Sequence, residues 1–589
     1  MIFTGIGNSN IALLQAAASS ILLASLVSAQ QQNITYNVIA APESTSNMSI
    51  AVIVDNSTYP LAAKANDGGL LYQGEAPVAQ TGYHYAILDA MQQVNASEAF
   101  SRPPVMNKTT YNEFFNRSSN VYNVTSLPQI LDPIPAIKRI ESDLHLQDQI
   151  PTIHLWGNAT AIEALNGNQL DEDLDVELNM TYYGLQKVQT VENVKVSVAG
   201  RSSRWVSKLS YNVKIKKKAD DDLFGYKKLK LRAMGYDASY IRERVAFATL
   251  KSVGVPCTEY SYIRVFFNNK PAGFYGLIET FQDPWLANEF ADGDKKYKSG
   301  YLYQGQAMSM TQTQFLVSDL SYYGDNTTLY SLGQYKIKAG TKGDEKPKDF
   351  KELRDFTKFI NETTNATSVK EWNKKLETDG FTRAMAIENL LGFSDAYMTL
   401  ADNFYVYSDP DTKRMIYIPA DLDTSIGSSI FLKSYMLDGN YSNHPGFHLR
   451  PLTKHFFANQ EFLNNYEHLL LNLSQTLVNP TVMNPFIDSV VDMIYPDVEW
   501  DQSLPRLGSE VGFNFGNESM SDIGNVPGLS SFIPPGFAAD GLTQVLNQTF
   551  EESVGGNINS TTQESVKQFI ANKSANIIAF YNQSSNAAA

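Results

Sequence analysis

The sequence predicts an α+β protein, β-rich in its first half and mainly helical in its second. Short β-branched and aromatic runs recur early: Thr35–Ala40, Met48–Val54, Tyr83–Leu88, Pro151–Trp156, Val191–Gly200, Tyr262–Phe267 and Ala272–Ile278, punctuated by Gly, Pro and Asn. Helix-spaced apolar stretches dominate later, at Phe381–Leu391, Pro451–Pro496 and Thr561–Tyr581. At 589 residues, 43% hydrophobic and 19% charged, the composition is globular and the chain is too long for one ordinary core, so several domains are expected.

Residues 1–29 read as a secretory signal peptide. Ile11–Leu26 is an apolar and small-residue run, and Val27-Ser28-Ala29 is a small-residue cleavage site, although the n-region lacks Lys and Arg. No later run is long and apolar enough to span a bilayer, so no transmembrane segment is expected after cleavage. About nineteen N-glycosylation sequons, among them Asn33, Asn95, Asn179, Asn326 and Asn572, also point to secretion. Cys257 is the single cysteine, which rules out an intrachain disulfide; its neighbours read as structural. A net charge of −15 argues against nucleic acid as a partner, because binding it needs a cationic surface.

Residues 30–120 read as a small β-sandwich in which Tyr83-His84-Tyr85 pack the core or form an aromatic strip. Residues 121–150 form a proline-punctuated connector. A second β-rich region, 151–280, follows, with His154 as a packing residue. Gly200-Arg201-Ser202-Ser203 precedes Lys208–Lys218, which alternates as a strand with Lys208, Lys214 and Lys216 on one face. Lys208 or Lys214 could contact phosphate there, or the lysines could form a solvated basic edge; Lys227, Lys228, Lys230 and Arg232 extend this character. Asp237–Lys251 reads as a helix carrying Glu243 in its first turns, where Arg242 and Arg244 flank it as they would a surface residue. Asn268-Asn269-Lys270 joins two strands as a hairpin, and Glu279 ends the second. Residues 281–589 begin with a Tyr-rich part, 300–338, and become helical; residues 503–541 read as a long Gly/Pro/Ser-rich loop.

Gly392–Ser428 is the most informative stretch. Asn403–Tyr407 and Arg414–Pro419, joined by the Asp409-Pro410-Asp411 turn, read as a β-hairpin. Its open end gathers Asp402, Asn403, Asp421 and Asp423, with Asp395 just upstream, so Asn403 and Asp421 should be spatial neighbours. Hard oxygen ligands in such a group suit Mg²⁺, which takes one or two carboxylates and leaves positions for water and phosphate. Protein kinases set a catalytic Asp, a metal-binding Asn and a second metal-binding Asp in this order. Spacing alone also permits ordinary turn residues.

Asp395-Ala396-Tyr397, Asn403-Phe404-Tyr405-Val406-Tyr407 and Ile418-Pro419-Ala420-Asp421-Leu422-Asp423 followed by Gly427 resemble the core signature of the CotH kinase family. The resemblance extends upstream to the GRSS loop, the lysines and the Arg-Glu of the helix. It implies an atypical protein-kinase-like two-lobed fold, with a β-rich N-lobe at 151–280 and a mainly helical C-lobe with a C-terminal extension at 281–589. It implies Asp395 as the catalytic residue and Asn403, Asp421 and Asp423 as metal ligands. Arg201, Lys208, Lys214, Glu243 and Glu279 fall at the nucleotide. ATP and Mg²⁺ (or Mn²⁺) are the implied cofactors, and the implied reaction is transfer to a Ser/Thr-rich coat or surface protein from a secreted, cell-wall or spore-surface location. Some fungal relatives are surface adhesins or invasins, so a host-cell surface receptor is the alternative partner, and a structural coat role is a third reading. Ala420 departs from the family pattern, which usually has Trp there.

Overall fold

The computed structural model describes residues 32–42, 48–64, 67–216, 222–310, 315–340, 346–511, 532–538 and 541–588. The expected signal segment and most of the 503–541 loop therefore lie outside the described residues. The chain forms two compact units, Met1–Asn120 with Tyr183–Val188, and Val121–Tyr182 with Gln189–Ala589.

The first unit is built from β1 (Asn33–Ile39), β2 (Ser49–Val54), β3 (Ser57–Ala63), β4 (Leu71–Pro77), β5 (Tyr83–Leu88), β6 (Val94–Ser97) and β7 (Glu113–Phe114). The expected two-sheet sandwich is in fact one continuous sheet of order β6-β5-β2-β3-β4-β1-β7. Continuity comes from β3, whose first part pairs with β2 and whose Ala62 and Ala63 pair with β4. The two halves still share a core: the rings of Tyr36 (β1) and Tyr83 (β5) meet edge to face at 4.9 Å, and the Tyr85 hydroxyl donates to the Asn37 carbonyl at 2.9 Å. Tyr83 and Tyr85 are thus core residues.

In the second unit, β8 (Thr152–Trp156), β9 (Asp175–Tyr183), β10 (Val188–Val198), β11 (Tyr211–Lys214), β12 (Lys228–Arg232), β13 (Ser261–Phe267) and β14 (Lys270–Glu279) close into a barrel of order β10-β11-β12-β14-β13-β8-β9. Alternation fills its interior with Val196, Tyr211, Val213, Leu229, Leu231 and Ile263. The same alternation puts Lys228, Lys230 and Arg232 on the other face of β12. The β13–β14 hairpin turns through Asn268 and Asn269 at φ 43° and 63°, the left-handed pair that a tight two-residue turn requires. His154 lies beneath this turn, with Nε2 accepting the Asn269 amide at 3.1 Å.

A helix, Arg242–Ser252, starts later than its sequence suggests, because Tyr240 adopts φ 58° and Asp237 folds back to accept the Arg242 amide at 2.9 Å. Beyond the barrel come β15 (Leu302–Gly305), β16 (Met308–Met310), β17 (Phe315–Val317), β18 (Tyr335–Ala339), β19 (Phe404–Ser408) and β20 (Met415–Pro419). They form a β18-β15-β19-β20 sheet and a small β16–β17 pair. Helices Lys351–Glu362, Thr378–Leu390, Gln460–Thr476, Pro480–Ser503 and Val566–Ala588 supply most of the remaining core, around Trp372, Phe381, Tyr417 and Phe456. The helix Pro480–Ser503 is bound to the barrel by two buried ion pairs, Asp497 with Arg264 at 2.7 Å and Asp501 with Lys208 at 2.8 Å. None of the described helices is long and apolar enough to cross a membrane.

Candidate active site

The β19–β20 hairpin closes as its sequence requires. Phe404 pairs with Pro419, and the Ala420 amide donates to the Asn403 carbonyl at 3.0 Å, so Asn403 and Asp421 are brought to the same end. Three residues there hold left-handed backbone, Ala401 (φ 51°), Asn403 (φ 52°) and Asp421 (φ 53°). Asn tolerates that region better than most residues, whereas Ala and Asp are held in it by their surroundings. The Asn403 side-chain amide donates to the Asp395 carbonyl at 3.2 Å and ties the upstream aspartate to the hairpin.

These residues line a cleft of about 500 Å³. The hairpin and its flanks contribute Asp395, Asp402, Asn403, Tyr405, Ala420, Asp421 and Asp423. The barrel and its connections contribute Arg201, Asn212, Lys230 and Arg232, the helix Arg242–Ser252 contributes Glu243, and Ile278–Gln282 forms the wall between. Gln304 of β15, Gln306 just after it, and Lys336 and Lys338 of β18 line it from the Tyr-rich part. Phe281 stacks on Tyr405 at 4.7 Å within the cluster that contains Ala420, giving the cleft one apolar, aromatic side.

Charge is distributed unevenly across it. Arg232 donates from Nε to Glu243 at 2.8 Å and from Nη2 to Asp421 at 2.6 Å and Asp423 at 3.0 Å. Lys230 Nζ lies 3.8 Å from Asp421, and Arg201 pairs with Asp402 at 2.6 Å. Burial, followed by the charges of Asp423, Asp421 and Asp402, pushes the Asp395 carboxyl well above the usual carboxylate range. Burial also raises Asp402, Asp423 and Glu243. Asp421 goes the other way: burial opposes its charge, but Arg232 and Lys230 overcome that and hold it far down. Lys336 and Lys338 bring the cleft as a whole near charge balance, but around Asp421 the carboxylates of Asp395, Asp402, Asp423 and Glu243 gather with three ion-paired cations, Arg201, Lys230 and Arg232; a divalent ion would add positive charge there, and Asn403 adds a neutral oxygen. The residues present fit Mg²⁺ or Mn²⁺ in this respect. Among the described residues, however, no three His, Cys, Asp or Glu side chains already converge as a metal site, and Arg232 is paired with Asp421 and Asp423.

The expected site residues divide into two groups. Asp395, Asn403, Asp421, Asp423, Arg201, Glu243 and Glu279 all line the one cleft. Glu279 does so with its side chain turned to the Asn288 amide, 2.8 Å away. Lys208 and Lys214 do not line it. The Lys-rich strand is shorter than its alternation suggests, spanning only Tyr211–Lys214. Lys208 lies before it and is buried against Asp501 and the Phe274 carbonyl, 2.7 Å away, as a structural ion pair. Lys214 is exposed at the far end of β11. The cations that do face Glu243 and Asp421 are Arg232 and Lys230 of the next strand. The signal was present in Lys228-Leu229-Lys230-Leu231-Arg232, whose alternation sets the cations on one face, and in Tyr335–Ala339, which places Lys336 and Lys338 likewise. Cys257 is buried and its thiol is pushed up to about 12 by burial, in keeping with a packing role.

An α+β chain whose barrel and hairpin meet in a polar, ion-paired cleft is the class of protein this geometry defines. The chain belongs to the CotH kinase family: the family model described as CotH kinase protein matches residues 196–505, a span that holds every lining residue named above. It is 25% identical over 501 residues to Invasin CotH3 of Rhizopus delemar, covering 82% of this chain and 77% of that one. Invasin CotH2 of the same organism is 23% identical, covering 72% and 70%. Inner spore coat protein H of Bacillus subtilis is 26% identical over 312 residues, 52% of this chain and 78% of that one.

Proposed function

We propose that this protein is a surface-located, atypical Ser/Thr protein kinase, with the barrel as N-lobe and the helical part as C-lobe, transferring phosphate from ATP to a Ser/Thr-rich coat or surface protein. One observation carries the reading. A single cleft gathers Asp395, Asn403 and Asp421 from the hairpin and its flanks, and a buried cation–glutamate pair, Arg232 of the barrel with Glu243 of the helix Arg242–Ser252. Phosphoryl transfer needs little covalent help from a protein; it needs positioning and charge stabilisation. Lys230, Arg232 and Arg201 are the cations available to phosphate oxygens, in place of Lys208 and Lys214. The apolar wall of Ile278, Phe281 and Tyr405 offers a face for the base. Asp395, in its ionised form, orients the acceptor hydroxyl and takes its proton. Asn403 and Asp421, with Asp423 beside them, would hold Mg²⁺ or Mn²⁺, whose charge offsets that of the phosphates.

The test is incubation of purified protein and a Ser/Thr-rich acceptor with labelled ATP and Mg²⁺ or Mn²⁺. Transfer that is lost in Asp395→Asn and Asp421→Ala is expected; absence of any transfer by the wild type under both metals overturns the reading.

A second reading, attachment to a host-cell surface, draws on a separate observation. The similarity to a protein named an invasin runs over 501 residues, well beyond the span matched by the family model. The first unit exposes large apolar side chains, Met106 at 83% and Met91 at 78%, with Val94 and Tyr111 also exposed. Attachment and transfer are compatible on one chain if they use different surfaces.

A further inference from the structure

Arg232 is the most heavily committed cation in the cleft. Its side chain is 6% exposed, both Nη2 hydrogens go to the Asp421 and Asp423 carboxylates, at 2.6 and 3.0 Å, and Nε goes to Glu243 at 2.8 Å. The second Asp421 oxygen has Lys230 3.8 Å away. Each carboxylate assigned to a metal is therefore already paired with the barrel. Resting on the kinase reading of this cleft, we propose that Arg232 is the built-in counter-ion of Asp421 and Asp423, so that the cleft takes up a divalent cation only together with a polyphosphate.

The argument is one of exchange. A free divalent ion entering alone must separate a buried guanidinium from two of its carboxylates and leave that guanidinium under-paired, which is unfavourable away from water. A polyphosphate alters the balance. Its oxygens accept paired N–H bonds from guanidinium as a carboxylate does, so Arg232 changes partner without losing its pairing. Asp421 and Asp423 are freed in the same event. Glu243, which holds Nε, keeps the guanidinium on the cleft face during the exchange. Metal and polyphosphate then bind cooperatively, and by linkage each strengthens the other by the same factor. A guanidinium serving only to fasten the barrel to the hairpin would give no such coupling.

The experiment measures Mn²⁺ affinity directly on the full chain, by the electron paramagnetic resonance signal of free Mn²⁺, with and without ADP as the polyphosphate probe. Wild-type protein is expected to bind Mn²⁺ at least tenfold more tightly with ADP than without. Arg232→Met, which keeps the stem and removes the charge, is expected to bind Mn²⁺ alone at least tenfold more tightly than wild type, and adding Asp421→Ala is expected to abolish that gain. A variant no tighter than wild type, or a gain that survives Asp421→Ala, overturns the proposal. If Arg232→Met does not fold, Arg232→Lys takes its place: one point charge cannot span both carboxylates, so a smaller ADP dependence is expected, and an unchanged dependence overturns the proposal. The kinase reading is tested separately. Cooperative Mn²⁺ and ADP binding without any phosphoryl transfer sinks that reading and leaves the counter-ion role standing; transfer with ADP-independent Mn²⁺ binding does the reverse.

Discussion

Burial first, and then the charges of Asp423, Asp421 and Asp402, raise the proton affinity of Asp395, and its backbone carbonyl is held by Asn403. Removing its charge takes away the proton acceptor and leaves the phosphate-facing cations in place. Asp395→Asn should lower transfer by about two to four orders of magnitude and leave ATP affinity within a few-fold, as read by single-turnover transfer and calorimetry. Persistence of transfer in this variant, with loss in Asp402→Asn, would assign the role to the other carboxylate. The two lysines separate binding from stability. Lys230→Met should weaken ATP binding without a large change in Tm. Lys208→Met should lower Tm, because it removes one buried charged partner of Asp501, which keeps Arg506 at 3.2 Å and the Tyr240 hydroxyl at 2.8 Å, an effect of about 1.5–3 kcal/mol for a lost hydrogen bond to a charged group. Lys573 gives a pH test. Burial brings its ammonium down to about 7, whereas in the unfolded chain it titrates near about 10.4. The folded protein gives up this proton first, so stability from this residue grows between about pH 7 and pH 10 and is lost as pH falls through 7. Lys573→Met should therefore raise Tm at pH 6, and the advantage should fade by pH 10 in a thermal-melt series.

Among the elements, the segment between Asp395 and Asn403 is held from several sides. Glu388, on the helix Thr378–Leu390, accepts the Met398 amide at 2.6 Å, with its carboxyl pushed up to about 8 by burial. Buried Arg450 donates to the Met398 carbonyl at 2.9 Å and to that of Thr399, and stacks its guanidinium on Phe532 at 4.6 Å. Ser318 donates to the Ala401 carbonyl at 2.6 Å. Gly446, at φ 85°, comes so close that a Cβ there would meet the Met398 carbonyl oxygen at 1.7 Å. These contacts hold the segment that carries the left-handed Ala401 and leads into the left-handed Asn403. Arg450→Met leaves two carbonyls without partners, at about 1–3 kcal/mol for each buried unsatisfied group. Gly446→Ala displaces the segment itself. Both should lower Tm by several degrees and reduce transfer more than ATP affinity, a split that paired melting and kinetic measurements would show.

For the whole molecule, the division into two units bears on function. The first unit has its own core and carries the exposed Met91 and Met106; the second holds the whole cleft. The Tyr-rich part contributes Gln304, Gln306, Lys336 and Lys338 to the cleft, so it is not a surface remote from the chemistry. Attachment to cells, if this protein performs it, is then expected to follow the first unit. Beads coated with the double variant Asp395→Asn, Asp421→Ala should attach to host cells as wild-type beads do while failing in a parallel phosphorylation assay. Replacement of Met91 and Met106 by Ser should have the opposite effect. A joint loss of attachment and transfer in the folded double variant would make attachment depend on the cleft.

Local pattern determined a large part of this protein. The β19–β20 hairpin, the clustering of Asp395, Asn403, Asp421 and Asp423 at its open end, the tight turn at Asn268 and Asn269, and the α+β layout were legible because each depends on neighbours in sequence: period-two alternation, turn chemistry and the antiparallel return of a short hairpin. Family resemblance added Glu243 and Arg201. What sequence could not decide was which cation each carboxylate meets. Lys208 and Arg232 read alike as basic residues on adjacent strands. Only the tertiary packing shows that Lys208 is drawn inward by Asp501, 293 positions away, whereas Arg232 faces Asp421, 189 positions away. The single bent sheet of the first unit was hidden for a similar reason, since β3 changes partner midway and alternation is the same on either side of the change. Side-chain period is a property of one strand, but pairing, closure and charge neutralisation are set between segments distant along the chain, where burial decides which opposite charges must meet.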